Sequence, residues 1–430
     1  MNNKLLAVII GSLVILSSGI IFLNYNQNNK FIDKEIKESE ENTQESLENF
    51  TSFDQAVNAF TFDIYDELSK NNIENLFFSP YSIFTALSMV YEGARNNTAA
   101  ELKNVLHVDQ DNESFHNYMK SLYDYLNENS EYNISTANAL WPREGYLLLE
   151  EYTDIINNFY GGGSNPIDYT NPALASEIIN NWVENHTNNL IQDLVPESAI
   201  DPILTMLILT NAIYFKGDWK VQFDEENTSQ EDFTTIDNNV LSVDTMKLVD
   251  TEERFYFTKI DELKILELPY DGDEISMYIF LPREGYDITD IPNFVDNSKL
   301  YSFLDLMEKK EVDIYLPKFN FTKDYRLNDY LTALGMQDSF SGDADFSGID
   351  GSKSLFISDI IHKAFIDVNE KGTEAAAATA IVMKATSVQE PEEPIREEFR
   401  CDHPFMFLLL HKETNTILFM GNVMEPIIED

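Results

Sequence analysis

The first half of the chain carries hydrophobic residues at helical spacing. From Phe53 to Ser69 apolar side chains recur every three or four residues, which predicts an amphipathic helix. Thr98 and Glu101 have the spacing of a capping box at the start of another helix. Gly clusters and Asn-Pro pairs between apolar stretches indicate turns. Further helices are predicted near Ser82–Gly93, Thr98–Leu106, Ser114–Leu126, Glu150–Phe159 and Ala173–Leu190.

The second half changes to short apolar runs rich in β-branched and aromatic residues, which predict strands. Val312, Ile314 and Leu316 alternate with polar residues, so that strand has one buried face. Asp271–Glu274 is predicted to be a β-turn. Helices followed by strands predict an α+β domain. The predicted strands are Leu204–Phe215, Leu263–Leu268, Ile275–Leu281, Val312–Leu316, Phe405–Leu410 and Ile417–Val423, the last two joined as a hairpin.

The N-terminal stretch differs from this globular pattern. Lys4 precedes the apolar run Leu5–Leu23, which has about the length of a membrane-spanning helix. A cleaved signal peptide explains the run equally well, so residues 1–24 are interpreted as a signal peptide or an N-terminal membrane anchor. Residues 25–52 are polar and acidic and are predicted to form a flexible linker. Either alternative exports the remaining domain, residues 53–430.

Charge and cysteine content narrow the function. The 430 residues include 75 acidic and 29 basic ones, which gives a net charge of -46. Such a chain repels phosphate backbones, so we expect no nucleic-acid partner. The single cysteine, Cys401, excludes an internal disulfide framework. The sequence contains none of the phosphate-binding or HExxH motifs, and we expect no cofactor.

Two short patterns have alternative chemical interpretations. Asp343, Asp345 and Asp350–Gly351 resemble part of a calcium loop, but no glutamate occupies its twelfth position, so a simple turn is favoured and no metal is expected. Cys401 and His403 would share one face of a strand, which permits a thiolate–imidazole pair. A buried cysteine that merely packs is the favoured interpretation. We therefore do not expect an enzyme.

The segment Val368–Ser387 is unusual for a compact domain. Its alanine run favours a helix by propensity. However, the next residues, Val388–Glu398, are acidic and contain two prolines, and an apolar strand begins at Phe399. A connection of this length is usually functional.

The residues Asn369–Ala380, NEKGTEAAAATA, resemble the hinge of the reactive-centre loop of serpins. The resemblance covers essentially everything after Phe53. It implies the serpin fold, with about nine helices around three β-sheets and an exposed loop from about Glu370 to Phe399. Other stretches resemble serpins in the same order: Asn75–Ile83, Leu209–Trp219, Val312–Phe319, Leu355–Val368 and Asp402–Val423.

The resemblance implies irreversible inhibition of a serine protease by a suicide mechanism. The protease cleaves the loop and stays attached as an acyl-enzyme, and the freed loop enters the main sheet as a new strand. Inward side chains must then be small, and Glu374 falls on the outward phase. These permissive residues favour inhibition over the alternative, a non-inhibitory serpin that binds or supports other molecules. The predicted hinge comprises Glu370, Gly372, Thr373, Ala375 and Ala377, with Thr379 and Ile381 continuing the inward phase.

Family spacing from Gly372 implies a scissile bond at Thr386–Ser387. A small β-branched residue at that position favours elastase-like or subtilisin-like proteases. If the register shifts, the bond is Lys384–Ala385 and the targets are trypsin-like. The acidic stretch Gln389–Glu393 favours a protease with a basic rim. We expect an extracellular monomer, secreted or tethered to the outer face of the membrane, that forms a covalent complex with its protease.

Two further groups match family positions. Ser79, Ser82, Asn211 and His362 match the buried polar cluster beneath the sheet that opens, and we call them the sheet-opening cluster. Lys318 and Glu370 match a salt bridge at the top of this sheet, beside Trp219. We call these three residues the hinge cluster, and the resemblance implies that they hold the loop closed until it is cleaved.

Overall fold

Three β-sheets form the framework of the protein in the computed structural model. The structure describes residues 53–70, 72–109, 112–127, 132–373 and 396–429. All of them belong to one compact unit, Phe53–Asp430. This part of the chain has ten α-helices: α1 (residues 53–69), α2 (Pro80–Gly93), α3 (Asn96–Val105), α4 (Asn112–Asn127), α5 (Glu150–Phe159), α6 (Pro172–His186), α7 (Ile291–Phe294), α8 (Asn297–Asp305), α9 (Asn328–Leu334) and α10 (Ser347–Asp350).

The strands of the described residues follow, in chain order. They are β1 (Leu76–Phe78), β2 (Tyr132–Pro142), β3 (Gly163–Ser164), β4 (Leu207–Asp218), β5 (Ser229–Thr234), β6 (Val240–Leu248), β7 (Phe255–Lys259), β8 (Leu263–Pro269), β9 (Ile275–Pro282), β10 (Glu308–Lys310), β11 (Val312–Pro317), β12 (Phe319–Arg326), β13 (Asp359–Val368), β14 (Gly372–Thr373), β15 (Glu397–Arg400), β16 (Phe405–His411) and β17 (Thr416–Val423).

The six-stranded sheet has the order β12-β13-β14-β4-β2-β3, and its two longest strands, β4 and β2, pair antiparallel over their whole common length. The seven-stranded sheet has the order β1-β17-β16-β9-β8-β7-β10, and the four-stranded sheet has the order β15-β11-β6-β5. Strands β9, β16 and β17 are buried along their entire lengths, so the seven-stranded sheet forms much of the core.

One outer face of the six-stranded sheet is covered by helix α6. Ile179 and Val183 of α6 pack with Ile208 of β4 and Ile361 of β13 in a single apolar cluster. Asn171 caps α6 by accepting a hydrogen bond from Leu174 N, and Pro172 occupies its first turn. The helix therefore begins at a defined point and packs against strands β2, β4 and β13 of the sheet.

The structure confirms the α+β class and the three sheets. The predicted turn Asp271–Glu274 joins β8 to β9, and the hairpin joins β16 to β17. The described residues contain ten helices where about nine were expected, and two of them, α7 and α10, are single turns of four residues. The predicted succession of helices and then strands is too simple, since β1 and β2 lie in the first half.

The capping box predicted at Thr98 is wrong. Helix α3 begins two residues earlier, at Asn96, and Arg95 occupies the N-cap position. The Thr98 hydroxyl instead accepts a hydrogen bond from Asp345 N at 2.9 Å, and Glu101 accepts hydrogen bonds from Gln337 N and Asp338 N. Both side chains therefore join α3 to a distant loop rather than closing their own helix.

The N-terminal run Leu5–Leu23 and the linker 25–52 lie outside the described residues, so their interpretation stays a prediction. Within residues 53–70, 72–109, 112–127, 132–373 and 396–429, no helix is long and apolar enough to cross a membrane.

Candidate functional site

The first residues of the loop already lie in the six-stranded sheet. Gly372 and Thr373 form β14, which is antiparallel to both neighbours: Thr373 pairs with Val368 of β13, and it pairs with Gly217 of β4. Farther from β14, the two neighbours pair directly with each other. Residues Asp359–Ala364 of β13 are parallel to Ile208–Ile213 of β4. We call this direct pairing the seam. Strand β14 thus lies at the end of the seam where the two strands diverge.

The side chain of Thr373 faces the core. It is 2 % exposed, and its hydroxyl lies 2.7 Å from the hydroxyl of Tyr270. Gly372 has no space for a side chain, because a Cβ at this position would lie 2.1 Å from the carbonyl oxygen of Gly217. The close approach of β14 to β4 therefore requires glycine here, which adds to the backbone freedom inferred from the sequence.

The hinge cluster holds Glu370 from several directions. The Lys318 Nζ lies 2.9 Å from Glu370 Oε2, and the Thr228 hydroxyl donates to Glu370 Oε1 at 2.8 Å. Phe223 N donates to the Glu370 carbonyl at 2.9 Å. Burial raises the pKa of Glu370, but the hydrogen bonds from Lys318 and Thr228 outweigh burial, so the pKa is lowered overall. A charged Glu370 is thus stable in a position that is only 6 % exposed.

Trp219 binds the loop backbone on both sides of Glu370. Its indole Nε1 donates to Asn369 O at 2.9 Å, and its backbone N donates to Lys371 O at 2.7 Å. The ring stacks on Tyr270 with centroids 4.5 Å apart. Because Tyr270 also contacts Thr373, a continuous set of contacts fixes the loop up to β14. The sequence did not identify Thr228 or Tyr270, since nothing local distinguishes them.

The sheet-opening cluster lies across the seam. His362 of β13 and Asn211 of β4 are register partners, and His362 Nδ1 is hydrogen-bonded to Asn211 Oδ1. His362 Nε2 accepts a hydrogen bond from Ser79 N at 3.1 Å, so the neutral Nδ1–H tautomer fits both contacts. Burial lowers the pKa of His362 to about 3. A protonated ring would oppose the Ser79 N–H with a second donor.

The remaining members complete the network around Asn211. Asn211 Nδ2 donates to Ser82 Oγ at 2.5 Å and to Asn138 Oδ1, and the Ser82 hydroxyl donates to Asn138 Oδ1 at 3.0 Å. The Ser79 hydroxyl accepts from Ser82 N and donates to Leu418 O at 2.6 Å. All four predicted residues therefore meet in the core. Asn138 of β2 is an additional member that the sequence did not identify.

The loop beyond β14 is anchored again at Arg396. The Arg396 guanidinium lies 2.8 Å from Asp313 and 3.2 Å from Glu311, and β15 then pairs in parallel with β11. The predicted residues Ala375, Ala377, Lys384, Thr386 and Ser387 lie between these anchors, outside the described residues, and their roles stay predictions.

Neither alternative chemical site is supported by the geometry. The two ring nitrogens of His403 bond to Asp402 and to the Pro282 carbonyl, at 2.7 and 2.8 Å. The Cys401 thiol is buried, which raises its pKa well above the usual value and disfavours a thiolate. Asp345 forms an ion pair with Lys353 at 2.6 Å. Among the described residues, no group of three or more His, Cys, Asp or Glu could hold a metal ion.

Comparison with known proteins identifies the family. The sequence matches the family model described as Serpin (serine protease inhibitor) over residues 55–426. The chain belongs to the serpin family. It is 42 % identical over 374 residues to a serpin-like protein of Thermococcus kodakarensis, covering 86 % of this chain and 85 % of the relative. It is 38 % identical to human Serpin B3, covering 87 % of this chain and all of the relative.

A solved structure supports the same fold. The crystal structure of Serpin48 from the insect Tenebrio molitor superposes with a TM-score of 0.78 at 34 % identity, covering 87 % of this chain and 98 % of that chain. Serpins are generally protease inhibitors rather than enzymes, and membership of the family supports protease inhibition in general.

The buried imidazole at the seam predicts a pH dependence of stability. The folded state keeps His362 neutral down to about pH 3, whereas an unfolded histidine binds a proton near pH 6.5. The unfolded state thus holds the extra proton between these values, so stability is fully present above pH 6.5 and falls as the pH decreases. We expect His362→Gln to remove about 1.4 kcal/mol per pH unit from the slope of the unfolding free energy between pH 6 and 4.5.

Urea unfolding at a series of pH values measures this slope. His411→Gln is the positive control, because burial also lowers the pKa of His411, to about 4, in the seven-stranded sheet away from the seam, and we expect this variant to reduce the slope by a similar amount. An unchanged slope in His362→Gln would contradict the neutral imidazole at the seam.

Proposed function

We propose that this serpin inhibits serine proteases of elastase-like or subtilisin-like specificity, by cleavage of its loop and insertion of the cleaved loop along the seam. The observation that carries the proposal is β14. Gly372–Thr373 is already paired with both β13 and β4, at the end where the seam diverges. A strand that grows from this point needs no new nucleus. From residue 377 onward, each further residue would separate one more pair of the seam.

The register of β14 gives the position of each residue after insertion. Continued antiparallel to β13 and β4, residue 379 would lie between His362 and Asn211, which are themselves register partners. Thr379 would share the inward face with Thr373 because strand side chains alternate. The hydrogen bond between His362 and Asn211 must then break. A threonine hydroxyl arriving there both donates and accepts, so it can satisfy the two separated groups.

The change in strand pairing supplies a driving force. The seam is a parallel ladder, whereas β14 is antiparallel to both neighbours. Insertion would therefore replace one parallel ladder with two antiparallel ladders, and antiparallel pairing is slightly more stable per residue. Cleavage is required because the loop is held at its far end by Arg396 and β15. The uncleaved protein thus stores free energy that cleavage releases.

Location and target belong to the same proposal. The apolar run at residues 5–23 favours an exported monomer. Because the single cysteine excludes an internal disulfide, the stability of this exported protein would depend on packing. Thr386 as the residue before the bond favours proteases with small primary pockets. The acidic residues that follow favour a target with a basic rim. The alternative function, a non-inhibitory serpin that binds or supports other molecules, shares the fold but requires no insertion.

A substitution at the buried hinge position tests insertion. Thr373 faces the core at 2 % exposure beside the Tyr270 hydroxyl, so Thr373→Arg would force a charged side chain into a buried site. We expect the protease to cleave this variant and leave, with the fraction trapped falling to about one tenth or less. That change needs only about 1.4 kcal/mol, less than the burial of an arginine costs. The measurement is the yield of complex that survives SDS.

Glu374→Arg is the matched control for this variant. It introduces the same side chain one residue later, on the outward phase, and we expect trapping close to that of the unmodified protein. Equal and undiminished trapping by both variants would overturn the insertion mechanism. Clean cleavage of the unmodified protein by every protease, with no complex, would favour the non-inhibitory alternative.

The scissile bond is tested separately by mass spectrometry of the cleaved loop. We expect subtilisin and elastase to form the SDS-stable complex and to release a C-terminal fragment that begins at Ser387. We further expect Thr386→Arg to transfer inhibition to trypsin, because the primary pocket of trypsin binds a basic side chain. A complex with trypsin alone, and a fragment that begins at Ala385, would assign the bond to Lys384–Ala385 instead.

A further inference from the structure

The C-terminal segment Met424–Glu429, which we call the C-terminal strap, lies along the outer edge of β12. Asn320 N donates to Ile427 O at 2.9 Å, and Glu429 N donates to the Asn320 side-chain oxygen at 2.5 Å. Thr322 N donates to Glu429 Oε2 at 2.8 Å. Strand β12 is the edge of the six-stranded sheet, so the strap satisfies backbone groups that an open edge would leave exposed.

The other end of the strap is fixed to a different sheet. Asn75 immediately precedes β1, which pairs with β17 in the seven-stranded sheet. Asn75 Nδ2 donates to Glu425 O at 2.7 Å, and Asn75 Oδ1 accepts from Met424 N and Glu425 N at 2.7 and 3.0 Å. Asn75 is 5 % exposed, and both polar atoms of its side chain are hydrogen-bonded. The strap therefore connects the edge of one sheet to the edge of another.

The strap lies at the level where the seam diverges. Asn320 is the register partner of Asp367 on β13, and the next residue, Val368, pairs with Thr373 of β14. Ile428 of the strap lines the same crevice as Lys318 and Glu370 of the hinge cluster. The strand pair β12–β13 thus lies between the strap and β14.

The position of the strap gives it a mechanical role. All eight residues of β12, Phe319–Arg326, pair with residues 361–368 of β13, so the two strands would move as one unit. Loop insertion requires this unit to separate from β4, and the strap joins the unit to Asn75 outside the sheet. We infer that the C-terminal strap restrains the opening of the six-stranded sheet and thereby slows insertion before cleavage. The inference rests on the proposed insertion along the seam.

Peptide annealing tests the inference without a protease. The probe is a synthetic peptide with the sequence of residues 374–385, and its rate of incorporation into the uncleaved protein reports how readily the seam opens. We expect deletion of Pro426–Asp430 to increase this rate about fivefold to tenfold, the loss expected for two or three partly exposed hydrogen bonds. Deletion of Asp430 alone keeps Pro426–Glu429 and the hydrogen bonds given above, so we expect it to leave the rate unchanged.

A pair of matched substitutions tests the strap if the truncated chain does not fold. Glu429→Ala removes the hydrogen bond to Thr322 N, and we expect annealing to become about two to three times faster. Glu425→Ala also removes a carboxylate, but the Glu425 side chain is exposed and this residue contacts Asn75 through its backbone. We therefore expect no change in the annealing rate. Annealing is measured at a temperature far below unfolding. If Glu429→Ala only reduced the overall stability, the unfolding temperature would fall, but the two variants would not differ in annealing rate.

The outcomes separate this inference from the proposed function. Annealing rates within twofold of the full chain for both the truncation and Glu429→Ala would overturn the restraint, even if the protein traps proteases. Faster annealing in these variants would support the restraint even if no protease is trapped, in which case inhibition rather than sheet opening has failed. Failure of the full chain and of all variants to incorporate the peptide would overturn both.

Discussion

The hydrogen bond between His362 and Asn211 is the contact on which the behaviour of the sheet depends. It joins the side chains of two register partners across the parallel seam, in a core position without access to water. A buried polar group is costly unless its partners are present, so this contact closes the seam strongly while it lasts. Two apolar side chains at this position could also pack together. Separating them would leave no buried donor or acceptor without its hydrogen-bond partner. In the proposed insertion, the seam would therefore have two defined states, closed and separated, rather than a continuous range.

Contacts at three other places hold the loop or the strands that flank the seam. Trp219 and Lys318 fix the loop where the seam diverges, and helix α6 covers the outer face of the strands at its centre. Arg396 holds the far end of the loop against β11. The contacts of Trp219, Lys318 and Arg396 are hydrogen bonds and ion pairs, whereas α6 contributes apolar packing. The seven-stranded sheet is a separate sheet whose strands β9, β16 and β17 are buried throughout. In the proposed mechanism this buried core would stay in place while the six-stranded sheet opens.

The sequence predicted those helices and strands that bury one face, because their apolar residues recur at a regular spacing. Val312, Ile314 and Leu316 are buried and their neighbours Asp313 and Tyr315 are partly exposed, as the alternation indicated. Strand β2 was missed because its second half is buried on both faces and contains Asn138, so no alternation marks it. Contacts between Ser79 and His362 join residues far apart in the chain, and only resemblance to a family could bring them together from sequence. Asn138 and Thr228 act through tertiary contacts that leave no local signal.

The proposed insertion relates the composition of the loop to both faces of the six-stranded sheet. At the register of β14, residues 375 and 377 would face the core, and residues 378 and 380 would face outward beside Ala212 and Ile361. That outward surface is not open to water, because it packs against α6 in one apolar cluster. At the level of residues 378 and 380, an inserted strand must therefore be small on both phases, not on the inward phase alone. Alanine satisfies this condition on either face, which explains a run that helix propensity alone would assign to a helix.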